Sequence, residues 1–154
     1  FLNGDVWRHD SNTRCNFYGA QYPAYITAVI NTNPSALKIP KAIRQQSNKL
    51  FLAPIINVLP SSSYPNGQKS KINQAAKWKL QEGQFFATFL KDYTDNAKRF
   101  RDISNAQLRE VTALLEGRDL RFEVATIRFQ ANSPASQNRL LRVDIEYVNS
   151  ESTF

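Results

Sequence analysis

Apolar and polar positions change rhythm several times along this chain, and each rhythm predicts an element. Tyr25-Ile26-Thr27-Ala28-Val29-Ile30 is short and rich in β-branched residues, which predicts a strand. Asn31-Thr32-Asn33-Pro34 ends it with turn chemistry. Next, Ala36, Leu37, Ile39, Ala42 and Ile43 recur at helical spacing behind Ser35, a residue able to cap, so a helix is expected, with Pro40 its weak point. From Leu50 to Leu59 apolar residues fall on both parities, the mark of a strand buried on two faces, interrupted or bulged at Pro54. Pro60 to Ser70 reads as a loop with a tight turn that needs positive φ at Gly67.

Residues 70–83 leave two readings open. Either Trp78 and Leu80 lie on a strand that turns at Gly83, or a helix runs on from Ser70. Beyond Gly83, Phe85, Phe86, Phe89, Leu90, Tyr93, Ala97 and Phe100 repeat at helical spacing and predict an aromatic-faced helix. Ser104 with Gln107 looks like a capping box for a second helix, with Leu108, Val111, Leu114 and Leu115 as its buried stripe and Gly117 as its positive-φ stop.

Leu120–Gln130 and Leu140–Val148 predict a β-hairpin. Its second strand would turn Leu141, Val143, Ile145 and Tyr147 inward and Arg142, Asp144 and Glu146 outward. In its first strand the apolar parity switches, and a bulge near Ala125-Thr126 would keep both sets on one face. Residues 1–24 are polar, aromatic and turn-rich, an expected loose arm, and 149–154 an expected frayed tail. The predicted fold is thus one α+β domain over 1–154: an antiparallel sheet including a C-terminal β-hairpin, packed against two or three helices.

Composition agrees with a single globular domain, with 154 residues, 42% apolar and 21% charged. The longest apolar run, Leu50 to Pro60, is broken by Pro54 and Asn57 and falls far short of the ~20 residues a membrane-spanning helix needs. The chain holds no Met and begins at Phe1, as expected of either a trimmed domain or a processed chain. Its compartment is not encoded here.

Charge changes the picture most. The net charge is +7. From Ser11 to Gln81 there is no acidic residue, while nine cations occur: Arg14, Lys38, Lys41, Arg44, Lys49, Lys69, Lys71, Lys77 and Lys79. Such an excess points to a polyanion, most simply nucleic acid, or to an acidic protein surface. The expected contact set is Lys38, Lys41, Arg44, Lys69, Lys71, Lys77, Trp78 and Lys79. On a helix Lys38, Lys41 and Arg44 would share a face, and Trp78 between Lys77 and Lys79 could stack a base.

Catalytic motifs are scarce. His9 and Cys15 are the sole residues of their kinds, too few for a zinc site, and six residues apart in a loose segment for a nucleophile pair. Asp144 and Glu146 share a strand face and, with Glu123, could hold Mg²⁺ as a nuclease does, but Arg142, Arg121 and Arg128 make an ordinary charge ladder the better reading. All five glycines are isolated, so no phosphate loop exists. The expectation is a non-enzymatic binding or assembly subunit without a cofactor, with a homo-oligomer among its allowed states. Its basic half would meet a polyanion. The alternative is a protein–protein assembly subunit, such as a virion component or an ectodomain of an envelope or secretion machine, docking on an acidic partner.

Overall fold

In the computed structural model, which describes residues 4, 6, 13–62 and 64–150, strands rather than helices build the core. The α+β expectation is overturned. Among the described residues the ten strands are β1 (Asn16–Phe17), β2 (Ala20–Gln21), β3 (Tyr25–Ile30), β4 (Lys38–Ser47), β5 (Phe51–Val58), β6 (Gln68–Ile72), β7 (Lys79–Gln81), β8 (Gln84–Thr88), β9 (Ala125–Ala131) and β10 (Leu140–Asn149). Two helices, α1 (Lys98–Arg101) and α2 (Ala106–Glu116), lie between β8 and β9. A front sheet has the order β10-β4-β8-β7 and a back sheet the order β3-β9-β5-β6, all pairs antiparallel. The two sheets cover one another. Ile43 and Ala87 of the front sheet and Phe51, Ile56, Ile72, Ile127 and Phe129 of the back sheet join one buried cluster. Helices are not needed to close the core.

The strands that match expectation are those with local signals. β3 spans Tyr25–Ile30 as its β-branched run predicts. β7 and β8 form the hairpin that was one of two readings, turning at Glu82-Gly83 with φ of 50° and 77°, the pair of left-handed residues a two-residue hairpin loop needs. Gly67 has φ of 69°, as expected, and a Cβ there would stand 2.3 Å from the Val58 carbonyl oxygen, so only glycine fits. The loop ends at that glycine rather than at Ser70, because Gln68 already belongs to β6.

Bulges explain most departures. Residues 38–47 are a strand, not a helix. The β10 register jumps from Ala42 to Pro40, leaving Lys41 as an extra residue, and the buried side switches from Lys38 and Pro40 to Ile43 and Gln45. One inserted residue turns a period of two into a local step of three, which imitates a helix. In β5 the pairing skips from Ala53 to Ile56, so Phe51 and Ala53 face inward before Pro54 and Ile56 and Val58 after it. The two apolar parities therefore come from the bulge, and Ile55 is exposed rather than covered. Leu141, expected inward, is the extra residue of a third irregularity and is exposed, while Val143 and Ile145 do pack on the core.

The C-terminal hairpin does not form. β9 pairs with β3 and β5 in the back sheet, whereas β10 pairs with β4 in the front sheet. No bulge is needed at Ala125-Thr126, since Leu120 and Phe122 precede β9 and Phe122 bridges instead to Lys38. The aromatic-faced helix is also absent: Gln84–Thr88 is strand, and the chain then runs as a strap to the single turn of α1. α2 is present, but its cap is Asn105, whose Oδ1 accepts from the Gln107 and Leu108 amides, not Ser104. Gly117 ends it with φ of −70°; glycine is required there because a Cβ would lie 2.3 Å from the Ala113 carbonyl oxygen. Within the expected N-terminal arm, β1 and β2 make a small hairpin. At the other end Asn149 pairs with Lys38, so the strand outlasts the expected fraying point.

Candidate functional site

The sandwich scatters the eight residues expected to contact a polyanion. Lys38 is fully buried on β4, and its ammonium donates to the carbonyl oxygens of Asn33, Ala36 and Glu123, each at 2.9 Å, above the Phe122 ring. Burial pushes its pKa below the ordinary lysine value, with the nearby Glu123 carboxylate acting in the opposite sense. It pins the β3–β4 connection and reaches no partner. Trp78 is buried too, its indole N–H donating to the Ile72 carbonyl at 3.3 Å, so it cannot stack a base.

The remaining six are surface residues on different sides. Lys69 and Lys71 lie on β6 in the back sheet, and Lys71 is engaged by Glu110 of α2 and sits over the Tyr93 ring. Lys41 is exposed at its bulge in the front sheet, near Asp119, whose carboxyl is held low chiefly by a hydrogen bond from Lys91, against burial, with Lys41 and Arg121 adding to the pull. Arg44 and Lys79 share one cross-strand row with Phe86 between them, since Arg44 and Lys79 both register with Phe86. The Arg44 guanidinium lies 5.8 Å from the Phe86 ring centre, and its charge also meets Glu146 at 3.7 Å. Lys77 is exposed on a single 3₁₀ turn, Ala75–Lys77.

The carboxylate reading separates likewise. Asp144 accepts from Arg142 of its own strand at 2.9 Å and Glu146 faces Arg44 of β4; the expected ladder with Arg121 and Arg128 does not form, because β10 pairs with β4 and not with β9, and Glu123 lies before β9 and outside their sheet. Among the described residues no three His, Cys, Asp or Glu side chains come together as metal ligands. Cys15 is half-buried, and His9, its suggested partner, lies outside the described residues.

What the fold does assemble is an apolar seam along α2. Of its expected buried stripe Leu114 alone is buried, next to Ala113, while Leu108, Val111 and Leu115 are 56%, 47% and 53% exposed. Spaced three and four residues apart, these three share one face. Beside them a cleft of about 70 Å³ is lined by Leu90, Val111, Leu114 and Leu115 on one bank and by Asn73, Gln74 and Lys77 on the other. That volume is far below the ~300 Å³ at which small-molecule sites begin, and suits an apolar side chain.

The chain matches no protein-family model, and no curated protein matches it. The reading of the site therefore rests on its own chemistry.

Sequence reasoning missed the residues that hold this seam in place. Asp92 is fully buried. Its Oδ1 accepts from the Lys69 amide at 3.2 Å, the Thr94 amide at 2.9 Å and the Thr94 hydroxyl at 2.6 Å, and its Oδ2 from Arg118 Nε at 2.7 Å. Together with the Tyr93 amide donating to the Lys69 carbonyl, it ties the strap before α1 along the outer edge of β6. Gln68 acts similarly, its amide bracketing Asp119 and Arg121 after α2. No local periodicity marks such residues, and Asp92, between Lys91 and Tyr93, carries no sequence signal that sets it apart.

Proposed function

We propose that this domain is a non-enzymatic assembly module that docks an amphipathic, acidic segment of a partner protein on the α2 seam. The observation that carries this reading is the half-exposed Leu108–Val111–Leu115 stripe beside a cleft sized for one apolar side chain. Apolar helix residues at this spacing are the usual ground for helix-in-groove recognition. Among the described residues lining the cleft Lys77 is the one with a charged side chain, and Glu110 of α2 is engaged by Lys71. The rim thus favours an acidic occupant.

The test is a titration with two amphipathic helical peptides that share leucines at i, i+3, i+4 and i+7 and differ in carrying glutamates or lysines elsewhere. The acidic peptide should bind more tightly, and Leu108→Glu with Leu115→Glu should abolish binding while leaving the unfolding midpoint near that of the parent. Equal binding of both peptides, or binding that survives the double substitution, refutes the proposal.

A second reading has its own observation. Phe86 stands in register between Arg44 and Lys79, beside an open hollow of about 810 Å³ lined by Arg44, Gln81, Glu82, Gln84 and Phe86, and a ring next to cations is the kind of platform single-stranded nucleic acid uses. This keeps the polyanion expectation in a smaller form, with Phe86 in the place first given to Trp78. Oligonucleotide affinity that falls steeply with salt and is lost in Phe86→Ala and Lys79→Glu would select it.

A further inference from the structure

A strand at the rim of a sheet offers unpaired N–H and C=O groups to any other chain, and stable proteins blunt such rims. The sandwich has four rims, and three are blunted. β7 is three residues long and carries Lys79. β10 bears Arg142, Asp144 and Glu146 and is irregular at Leu141. β6 is overlaid by the strap, with the Tyr93 amide on the Lys69 carbonyl. β3 has no such device. It contains no charge and no proline, and its register with β9 runs without a shift. Tyr25, Ile26 and Val29 are 53%, 53% and 60% exposed.

The direction of its free groups follows from the ladder. The Ala131 amide donates to the Ala24 carbonyl, which makes that pair a hydrogen-bonded one. Antiparallel pairs alternate, so Ile26, Ala28 and Ile30 exchange bonds with β9, and Tyr25, Thr27 and Val29 aim theirs away from the sheet. Among the described residues nothing bonds to these outward groups.

We infer that a second copy of this chain occupies this rim, the two β3 strands pairing antiparallel about a two-fold axis at Thr27 to join the back sheets into one. That register pairs every outward group. It sets Thr27 opposite Thr27 and Tyr25 opposite Val29 on one face, and Ile26 opposite Ala28 on the other, all favourable cross-strand pairs. Charge selects the occupant. From Cys15 to Leu37 there is no ionisable side chain except the Cys15 thiol and the tyrosines, and no Asp, Glu, Lys, Arg or His, the longest such run in a chain of net charge +7. The rim strand itself carries no charge, the guanidinium of Arg128 on β9 lying over the Tyr25 ring, so two like-charged copies would meet here across uncharged strands. The inference is independent of the α2 seam.

The experiment is sedimentation of the full chain over a micromolar to millimolar series. Parent protein should dimerise. Thr27→Glu should weaken the dimer about tenfold or more, because two carboxylates then face each other at the axis. In the monomer that glutamate lies opposite Arg128, an attractive pair, so the fold is retained, as circular dichroism would show. In a Cys15→Ser background, Thr27→Cys should form a disulfide dimer faster than Val29→Cys, since only residue 27 faces its own copy. A parent that stays monomeric throughout, a dimer indifferent to Thr27→Glu, or equal cross-linking at 27 and 29 overturns the inference. Leu108→Glu should leave the dimer unchanged, which separates this interface from the docking seam.

Discussion

Replacing Asp92 by Asn tests the account of how the α2 seam is held. The side chain stays isosteric, so no cavity forms. What changes is chemistry. Oδ2, which accepts from Arg118 Nε at 2.7 Å, becomes an amide that points a donor at a donor. A charge-assisted hydrogen bond of this kind contributes about 1.5–3 kcal/mol. The Arg118 side chain is 39% exposed, so water re-solvates its charge and limits the further loss. The three donors on Oδ1, from Lys69 and Thr94, keep an acceptor but lose its charge, a smaller loss of roughly 0.5 kcal/mol or so each. The expected destabilisation is about 3–4.5 kcal/mol, or roughly 6–18 °C in unfolding midpoint for a domain of this size. Denaturant unfolding of parent and variant measures it. Hydrogen exchange adds location: the Lys69, Tyr93 and Thr94 amides should lose protection before those of β9. A loss below about 0.5 kcal/mol, or unchanged protection at these amides, would refute the view of Asp92 as the tie between strap and sandwich.

Other outcomes follow from single contacts. Lys38→Met preserves volume but strips three carbonyl oxygens of their donor, so about 2–4 kcal/mol of stability should be lost in thermal or denaturant unfolding. The Lys38 pKa is depressed on folding, so between its folded value and the ordinary lysine value of 10.5 the unfolded chain binds more protons, and parental stability should rise with pH there. The stability difference between parent and Lys38→Met should therefore widen on approaching pH 10.5 and be flat well below that window. Gly67→Ala meets both a φ of +69° and the Val58 carbonyl at 2.3 Å, and should cost about 2–4 kcal/mol. Gly83→Asn has similar φ but open space around its Cβ, and should stay within about 1 kcal/mol by the same assay.

What could be read from residues alone was whatever short stretches decide for themselves. β3 is marked by its β-branched run, the turn at Gly67 by Pro-Asn-Gly, and α2 by its leucines before Gly117. Elements decided by partners were misread. The helical spacing of Ile39, Ala42 and Ile43 belongs to a strand bulged at Lys41, and that bulge is fixed by the register with β10, over a hundred residues away in the chain. Pro40 is tolerated in β4 because its pairing with β8 covers only Ala42 to Gln45, so no second neighbour needs its missing N–H. The candidate site was half legible. The α2 leucines were identified as a stripe, but a stripe looks the same in sequence whether a second layer covers it or not. Here the sandwich closes on itself, and part of the stripe is left outside.

The same topology decides what becomes of the acid-free segment. A run of nine cations without a carboxylate becomes a basic face only if the chain lays it on one side. This chain does the reverse. It places β3 at the back, β4 at the front, β5 and β6 at the back, and β7 and β8 at the front. Consecutive cations are thus dealt to opposite sides: Lys41 and Arg44 to one, Lys69 and Lys71 to the other, Lys79 to the first again. The C-terminal half, which holds eleven of the thirteen acidic residues, then returns through both layers. Glu110 reaches Lys71 from α2, and Glu146 reaches Arg44 because β10 must pair with β4 to finish the front sheet. Segregation of charge in sequence is thereby undone in space, and the excess of cations is spread over the surface. A spread excess supplies long-range attraction to acidic partners in general, but little local specificity. Specific recognition must then come from features the fold does concentrate, which is why the apolar seam on α2 and the uncharged rim of β3 carry more functional weight than the lysines.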